Sequence, residues 1–365
     1  MIAAGVNSFS RGLSVSPVLL LFTAVAPGLC QPSTGAAPAN MAPKPGAPLS
    51  CATCHAAQAA HQSTSPMGRA METVGDCGIL KTHPLLTFQT GKYSYRIERR
   101  GSQSLYSVTD GVQTITVPIG WAFGLGQAGQ TYVFERDGRL YESQVSYYKA
   151  IDRLDLTMGA INQAPLDLVQ AAGREMGKLD GAQCFHCHAT NAGEGLNLNL
   201  AGLTPGIQCD RCHGPSAVHL AGFKTGQSVA MKKLTDGSAE QTNVFCGSCH
   251  RTWDEIATGP KLGVANVRFQ AYRITNSKCY DSNDARISCV TCHDPHQTLN
   301  RDEASYDPKC LACHSAGGKA AAGVCKVSKS NCASCHMPQI DMPGSHHSFT
   351  DHQIRIVRRN EPYPD

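Results

Sequence analysis

Residues 184–188 read Cys184-Phe-His-Cys187-His188, and this short pattern decides how the rest of the chain is interpreted. The pattern Cys-x-x-Cys-His occurs seven times in 365 residues, beginning at positions 51, 184, 209, 246, 289, 310 and 332. We number these motifs first to seventh in chain order. Six of them lie between residues 184 and 336, whereas the first stands far upstream. The sequence therefore predicts one motif-rich half and a different module before it.

Each motif places two thiols three positions apart and follows them at once with an imidazole. This spacing is typical of covalent haem c attachment, in which both thiols form thioethers and the adjacent His binds the iron. The sequence therefore predicts seven haem c groups. The attachment residues are Cys51, Cys54, Cys184, Cys187, Cys209, Cys212, Cys246, Cys249, Cys289, Cys292, Cys310, Cys313, Cys332 and Cys335. The proximal iron ligands are His55, His188, His213, His250, His293, His314 and His336.

Zinc and disulfide chemistry are the alternatives for paired cysteines. Zinc ribbons also use Cys-x-x-Cys, but zinc does not require a His after every second Cys. A disulfide within Cys-x-x-Cys closes too short a loop to stabilise a fold. Four cysteines lie outside the motifs: Cys30, Cys77, Cys279 and Cys325. One disulfide among the last three would suit an exported protein, and the sequence leaves its pairing open.

The N-terminal residues indicate export. A single Arg precedes an apolar run that ends in Ala24-Val25-Ala26, so residues 1–30 are interpreted as a signal peptide. A lipid anchor on Cys30 is the less favoured alternative. The run is too short for a membrane span, and we expect a periplasmic or otherwise exported protein without a transmembrane segment. The 32 basic and 28 acidic residues nearly balance, which disfavours nucleic acid as a partner.

The remaining organisation follows from local patterns. Residues 31–50 form a Pro- and Ala-rich linker, and residues 51–87 carry the first motif. Alternating polar and apolar residues, with hairpin signals at Asp110-Gly111 and Asp137-Gly138, predict a β-rich insert over 88–160. Apolar periodicity from Pro165 to Lys178 predicts a helical connector over 161–182. A six-haem domain over 183–345 and a tail over 346–365 complete the chain. The expected fold class is a mostly α and irregular multihaem cytochrome with a haem-packed core, few short helices and a small antiparallel β insert.

Eight histidines lie outside the proximal positions, close to the number needed for a second His on every iron. The candidate distal ligands are His61, His83, His219, His296, His347 and His352, with Met67 as an alternative for the first haem. The favoured interpretation of Met67 is nevertheless that it fills space against the porphyrin. His186 is the weakest candidate because it lies inside a motif, and of the adjacent His346 and His347 we expect one to bind.

The chain resembles the multihaem cytochromes c of the cytochrome c-554 type, within the haem-packing superfamily that includes hydroxylamine oxidoreductase and pentahaem nitrite reductase. The resemblance covers residues 51–355. Besides the motifs, it rests on the stretches Cys212-His213-Gly-Pro-Ser-Ala-Val-His219, Cys292-His293-Asp-Pro-His296, Ser65-Pro66-Met67, Gly129-Gln-Thr-Tyr132, Asp137-Gly138-Arg-Leu-Tyr141, Ser146-Tyr147-Tyr148 and His346-His347-Ser-Phe-Thr-Asp-His352.

The resemblance implies electron transfer through haems that are mostly bis-His and low in potential. The Cys-x-x-Cys-Lys that marks the catalytic haem of pentahaem nitrite reductases is missing from this sequence, and no Tyr is marked for a haem cross-link. An electron carrier is therefore favoured, and no catalytic residue is assigned. A redox enzyme with one open haem, acting on a small nitrogen or sulfur compound, is the alternative, followed by a haem-bearing sensory module. Expected partners are a membrane quinol-oxidising complex and an acceptor cytochrome or terminal reductase.

Overall fold

The structure, a computed structural model, describes residues 50–160, 164–259, 261–315 and 325–358. The predicted signal peptide, Cys30 and the linker up to residue 49 lie outside these residues. Within the described ranges, none of the helices has the length and apolar character needed to cross a membrane.

Two antiparallel sheets occupy the part of the chain before the second motif. Their strands, together with three small two-stranded pairs further along, are β1 (Met71–Thr73), β2 (Leu85–Thr90), β3 (Tyr93–Arg100), β4 (Gln103–Thr109), β5 (Thr114–Pro118), β6 (Trp121–Phe123), β7 (Gln130–Arg136), β8 (Arg139–Tyr148), β9 (Arg153–Leu156), β10 (Gly173–Glu175), β11 (Ala189–Thr190), β12 (Gly193–Glu194), β13 (Asn197–Leu198), β14 (Thr204–Pro205), β15 (Gln339–Met342) and β16 (His347–Thr350).

One sheet has the order β2-β3-β4-β5, and the other has the order β1-β6-β7-β8-β10 with β9 also paired to β8. Both hairpins predicted from Asp-Gly pairs are confirmed, since β4 pairs with β5 and β7 pairs with β8. Asp137 and Gly138 both have positive φ, 52° and 72°, which is the backbone of a two-residue turn that matches the strand twist.

The two sheets pack against each other, and six buried aromatic side chains lie in the apolar cluster between them. Tyr106 on one sheet lies 5.7 Å from Phe134 on the other, measured between ring centroids. The apolar cluster between the sheets and a second cluster around Phe185 together draw their residues from positions 71–203. Among the described residues after 203, no comparable apolar cluster forms, although this region carries five of the seven motifs.

Short helices make up most of the regular structure after the sheets. The helices are α1 (Cys51–Cys54), α2 (Ala56–Thr64), α3 (Gly78–Thr82), α4 (Leu168–Ala172), α5 (Lys178–His188), α6 (Cys209–His213), α7 (Ala217–Lys224), α8 (Ala239–His250), α9 (Trp253–Ala257), α10 (Gln270–Thr275), α11 (Cys289–Cys292), α12 (Asp307–His314) and α13 (Cys332–His336). Three 3₁₀ turns lie at Leu234–Asp236, Gly263–Asn266 and Glu303–Tyr306.

Three sequence expectations differ from this arrangement. The β unit begins at Met71 rather than 88, so β1 and β2 lie in the segment assigned to the first haem. Strands therefore make up more of the structure than is expected for a mostly α fold with a small β insert. The helix expected over 165–178 forms only in part: α4 ends at Ala172, and the chain then pairs with β8 as β10. Local periodicity favoured a helix, but the open edge of β8 takes up this segment instead.

The switch from α4 to β10 depends on Gly173. A Cβ at this position would lie 2.3 Å from the carbonyl oxygen of Glu142 on the neighbouring strand. We therefore expect Gly173→Ala to lower the free energy of unfolding by about 1–3 kcal/mol, because the strands must separate to admit a methyl group. Gly177→Ala is the matched control, since its Cβ would meet no atom within 4 Å and its φ is −64°. Chemical denaturation of both variants checks this, and equal stabilities would contradict it.

Candidate functional site

The seven motifs all lie at the ends of helices or form a helix of their own. Each motif occupies about one helical turn, so its two thiols emerge on one side, as residues three apart do in a helix. Five of the motif histidines are the last residue of a helix, and His55 and His293 follow one directly. The local fold therefore presents both thiols and the imidazole to the same neighbourhood, which is the arrangement that haem c attachment requires.

Four motif histidines are held by a hydrogen bond at Nδ1. The partners are carbonyl oxygens from distant parts of the chain: His188 to Ala70 O (2.8 Å), His213 to Lys232 O (2.7 Å), His336 to Arg355 O (2.7 Å) and His250 to Gln270 Oε1 (3.1 Å). A carbonyl acceptor at Nδ1 fixes the tautomer with the proton there and leaves the lone pair on Nε2 for a metal. These four rings are oriented as iron ligands are.

Two of the predicted distal histidines have the same arrangement. Nδ1 of His219 hydrogen-bonds Val229 O at 2.6 Å, and Nδ1 of His352 hydrogen-bonds Thr350 O at 2.9 Å. Burial lowers the pKa of His352 to about 4, against the opposing effect of the Thr350 hydrogen bond. The ring of His352 is therefore neutral at neutral pH, and its Nε2 lone pair is available.

Two pairs of rings lie at the separation expected across a shared metal. The centroids of His213 and His296 are 5.9 Å apart with nearly parallel planes, and those of His293 and His352 are 6.2 Å apart. Two imidazoles bound through Nε2 to one metal, at about 2.0 Å each, have centroids roughly 6.3 Å apart. Each pair joins a motif histidine to a predicted distal ligand, so the donor set fits a bis-His haem at the third and fifth motifs.

Other predicted distal ligands have different surroundings. Nε2 of His83 lies 3.0 Å from Asp152 Oδ1, and its Nδ1 contacts Ile79 O, so both nitrogens already have partners in the β unit. His61 is exposed on α2, and His347 packs its ring 4.9 Å from that of Phe349. Met67 is half-buried next to the chain around residue 207. The adjacent histidines 346 and 347 also differ from each other, because His346 already hydrogen-bonds Asp155 through Nε2 at 3.0 Å.

A cavity of about 1120 Å³ lies against the second motif. Its wall includes Cys184, Cys187 and His188, and we call it the second-motif cavity. His186 also lines it, and among the described residues the buried Nε2 of His186 has no hydrogen-bond partner. Sequence reasoning ranked His186 last because of its place inside a motif, yet its ring nitrogen is free, as a ligand's would be.

The cysteines outside the motifs do not pair in the described residues. Cys77 is fully buried in the β unit, where it hydrogen-bonds Gln130 Oε1 at 3.2 Å and burial raises its pKa to about 11. Cys279 and Cys325 are exposed elsewhere, and all three thiols are free. The expected disulfide is therefore wrong for these residues, because Cys77 belongs to an apolar core that the other two do not reach. Over the same described ranges, no three His, Cys, Asp or Glu side chains converge to hold a metal ion.

Comparisons with known proteins agree with this chemistry. The family described as cytochrome c554 and c-prime matches residues 148–214, a stretch that contains the second and third motifs. The multiheme cytochrome MtrA of Shewanella baltica (strain OS185) is 25% identical over 162 residues, or 43% of this chain. The match spans 40% of that relative's length. No solved structure matches. With the motif geometry, these similarities support covalent haem c attachment, and over part of its length the chain is similar to multihaem c-type cytochromes.

Proposed function

We propose that the chain is a heptahaem electron carrier of the periplasm or another exported compartment, in which single electrons pass along closely spaced and mostly bis-His haems. The observation that carries this proposal is the pairing of motif histidines with distant histidines, His213 with His296 and His293 with His352, at separations of 5.9 and 6.2 Å. In each pair, the motif histidine and its partner come from different parts of the chain. His296 follows the fifth motif and His352 lies in the tail, as expected where haems are packed together.

The protein's contribution is to hold and tune the iron ligands. Haem itself supplies reversible one-electron chemistry. The chain fixes the imidazoles through carbonyl hydrogen bonds at Nδ1, and such outer contacts set ligand basicity and hence potential. The lack of an apolar cluster among the described residues after 203 supports a core in which porphyrin provides the buried apolar surface. The nearly balanced charge favours transient docking to a quinol-oxidising donor and to an acceptor cytochrome or terminal reductase.

A second candidate is a multihaem oxidoreductase with one open haem that acts on a small nitrogen or sulfur compound. One observation favours it. The described residues that line the second-motif cavity include His186, but none of the seven distal ligands predicted from the sequence. None of the distal ligands predicted from the sequence therefore lies beside the haem proposed there.

The haem count and the spin state of the irons together test the electron-carrier proposal. Intact-mass spectrometry of the mature protein is expected to give seven haem increments, because all seven motifs are complete. EPR of the oxidised protein is expected to give low-spin ferric signals for all irons. A high-spin signal with the intensity of one haem would favour the oxidoreductase with one open haem. Fewer than seven haems would contradict the heptahaem proposal.

A further inference from the structure

We propose that Arg251 and Arg268 form an anion-binding site in the wall of the second-motif cavity, one that takes a carboxylate or a small oxyanion. The anion has two chemical sources: a propionate of a haem attached at Cys184 and Cys187, or a free oxyanion such as nitrite or sulfite. If the anion is a propionate, the inference rests on the haem attachment proposed above. If it is a free oxyanion, the cavity must also be accessible to it. Both guanidinium groups line the cavity together with the two attachment cysteines.

A single aromatic ring holds the two positive charges close together. The guanidinium carbon of Arg268 lies 4.7 Å from the ring centroid of Phe269, and that of Arg251 lies 5.3 Å from the same centroid. Contact with a ring face orients a planar guanidinium while leaving the N–H groups at its edge free to donate. Phe269 therefore positions the N–H donors of both guanidinium groups beside one cavity.

No carboxylate in the described part of the chain lies within ion-pair distance of these two charges. Neither guanidinium forms an ion pair there, although Arg174 in the same cavity is paired with Glu142 at 2.9 Å and Asp180 at 2.6 Å. Nη1 of Arg268 donates to Met158 Sδ at 3.3 Å, and a thioether is a weak acceptor. The pKa of Arg268 is lowered by loss of hydration and then by the charge of Arg251, and the charge of Glu142 opposes this only in part. Two like charges held at one aromatic ring without a paired carboxylate are the setting that an anion relieves.

The backbone at Arg251 is also unusual. Its φ is 49° and its ψ is 124°, values that residues with a Cβ rarely adopt, and it directly follows the motif histidine that ends α8. Such a conformation persists only where the surroundings impose it, and it is concentrated at functional sites. Here it accompanies a side chain directed to Phe269 and the cavity, rather than along the helix axis.

The chemistry of the site selects its ligand class. Guanidinium groups donate two parallel hydrogen bonds to carboxylates and to oxyanions, and these charge-assisted bonds are strong when the site is partly dry. A cation or a neutral ligand would leave the repulsion between the two arginines uncompensated. The site is therefore assigned to anions.

The test uses the haem-loaded protein and the variants Arg251→Gln and Arg268→Gln. The matched control is Arg174→Gln, because Arg174 lines the same cavity with its charge already paired. Nitrite and sulfite are titrated against each protein by visible spectroscopy, and haem potentials are measured by redox titration without added anion. Intact mass gives the haem count of every preparation, so that a failure of the proposed haem attachment is seen separately.

If the site takes a free oxyanion, nitrite or sulfite binds the wild type and binds each of the two variants about tenfold or more weakly, with little change in the control. If it takes a haem carboxylate, neither anion binds, and the potential of one haem falls in both variants because the propionate charge is no longer balanced. Arg268→Lys, which keeps the charge, should then retain the potential. The proposal is overturned if anion binding and potentials in the two variants match those of the Arg174→Gln control.

Discussion

Replacing Asp351 with Ala is expected to lower the free energy of unfolding by about 3–5 kcal/mol, because it leaves a buried charge without its partner. Asp351 and Arg273 are both fully buried. Nε and Nη2 of Arg273 donate to the two carboxylate oxygens at 2.8 and 2.9 Å, and Nη1 of Arg355 donates to one of them at 2.6 Å. Without the carboxylate, the guanidinium group of Arg273 stays in the interior with no counter-charge.

The same cluster joins three of the proposed iron ligands. Asp351 directly precedes His352, the proposed distal ligand of the fifth haem. The carbonyl oxygen of Arg355 accepts the hydrogen bond from His336 Nδ1. Arg273 lies on α10, which also carries Gln270, the partner of His250 Nδ1. We therefore expect Asp351→Ala to shift the spectra of more than one haem, and not only to reduce stability.

Denaturation of the haem-loaded protein by urea, followed by circular dichroism, measures this effect. Asp284→Ala is the matched control, because Asp284 pairs with Arg286 on the surface and such pairs contribute about 1 kcal/mol or less. Burial alone would raise the pKa of Asp351, but the hydrogen bonds and charge of Arg273 hold it below its ordinary value. Its stabilising effect is therefore complete above an ordinary pKa of about 3.9 and is lost as the pH falls below it. A loss no larger than that of the control would contradict the prediction.

The parts of the molecule that the sequence predicts well are those set by local chemistry. The proposed haem attachment would fix the spacing of Cys184, Cys187 and His188 whatever the surrounding fold, so this prediction needs only the local sequence. The turn at Asp137-Gly138 is equally local, because positive φ at both positions demands residues that tolerate it. Alternation over residues 93–98 likewise identifies β3, since one face of the strand is buried.

The parts that the sequence misses are set by contacts between distant residues. His83 and His219 look alike as spare histidines, yet the Nε2 of His83 is taken by Asp152, 69 residues away. His346 is similarly bound to Asp155 across 191 positions. Ala70, which accepts from His188 Nδ1, carries no signal in the sequence because it contributes only a backbone oxygen. Gly173 joins a strand for the same kind of reason, since the open edge of β8 outweighs its helical neighbours.

If the chain carries the seven haems proposed above, replacing His352 with Ala is expected to convert one of their irons from low spin to high spin. The reason is geometric: the His352 ring lies 6.2 Å from that of His293, its Nδ1 is held by Thr350, and its Nε2 has no hydrogen bond among the described residues. His296→Ala should do the same at the third motif, where the His213 ring lies 5.9 Å away. Since the two pairs involve different motifs, the double variant should show two high-spin irons.

His83→Ala is the matched control for this experiment, because it removes an imidazole that already hydrogen-bonds Asp152 and Ile79. EPR of the oxidised proteins, normalised by the haem count, should show an additional high-spin signal of about one seventh of the irons in His352→Ala and none in His83→Ala. His352→Met should keep the iron low-spin and raise the potential of that haem, because a thioether ligand favours the reduced state. An unchanged spectrum in His352→Ala, or an equal high-spin signal in His83→Ala, would show that carbonyl contacts at Nδ1 do not distinguish iron ligands from structural histidines in this protein.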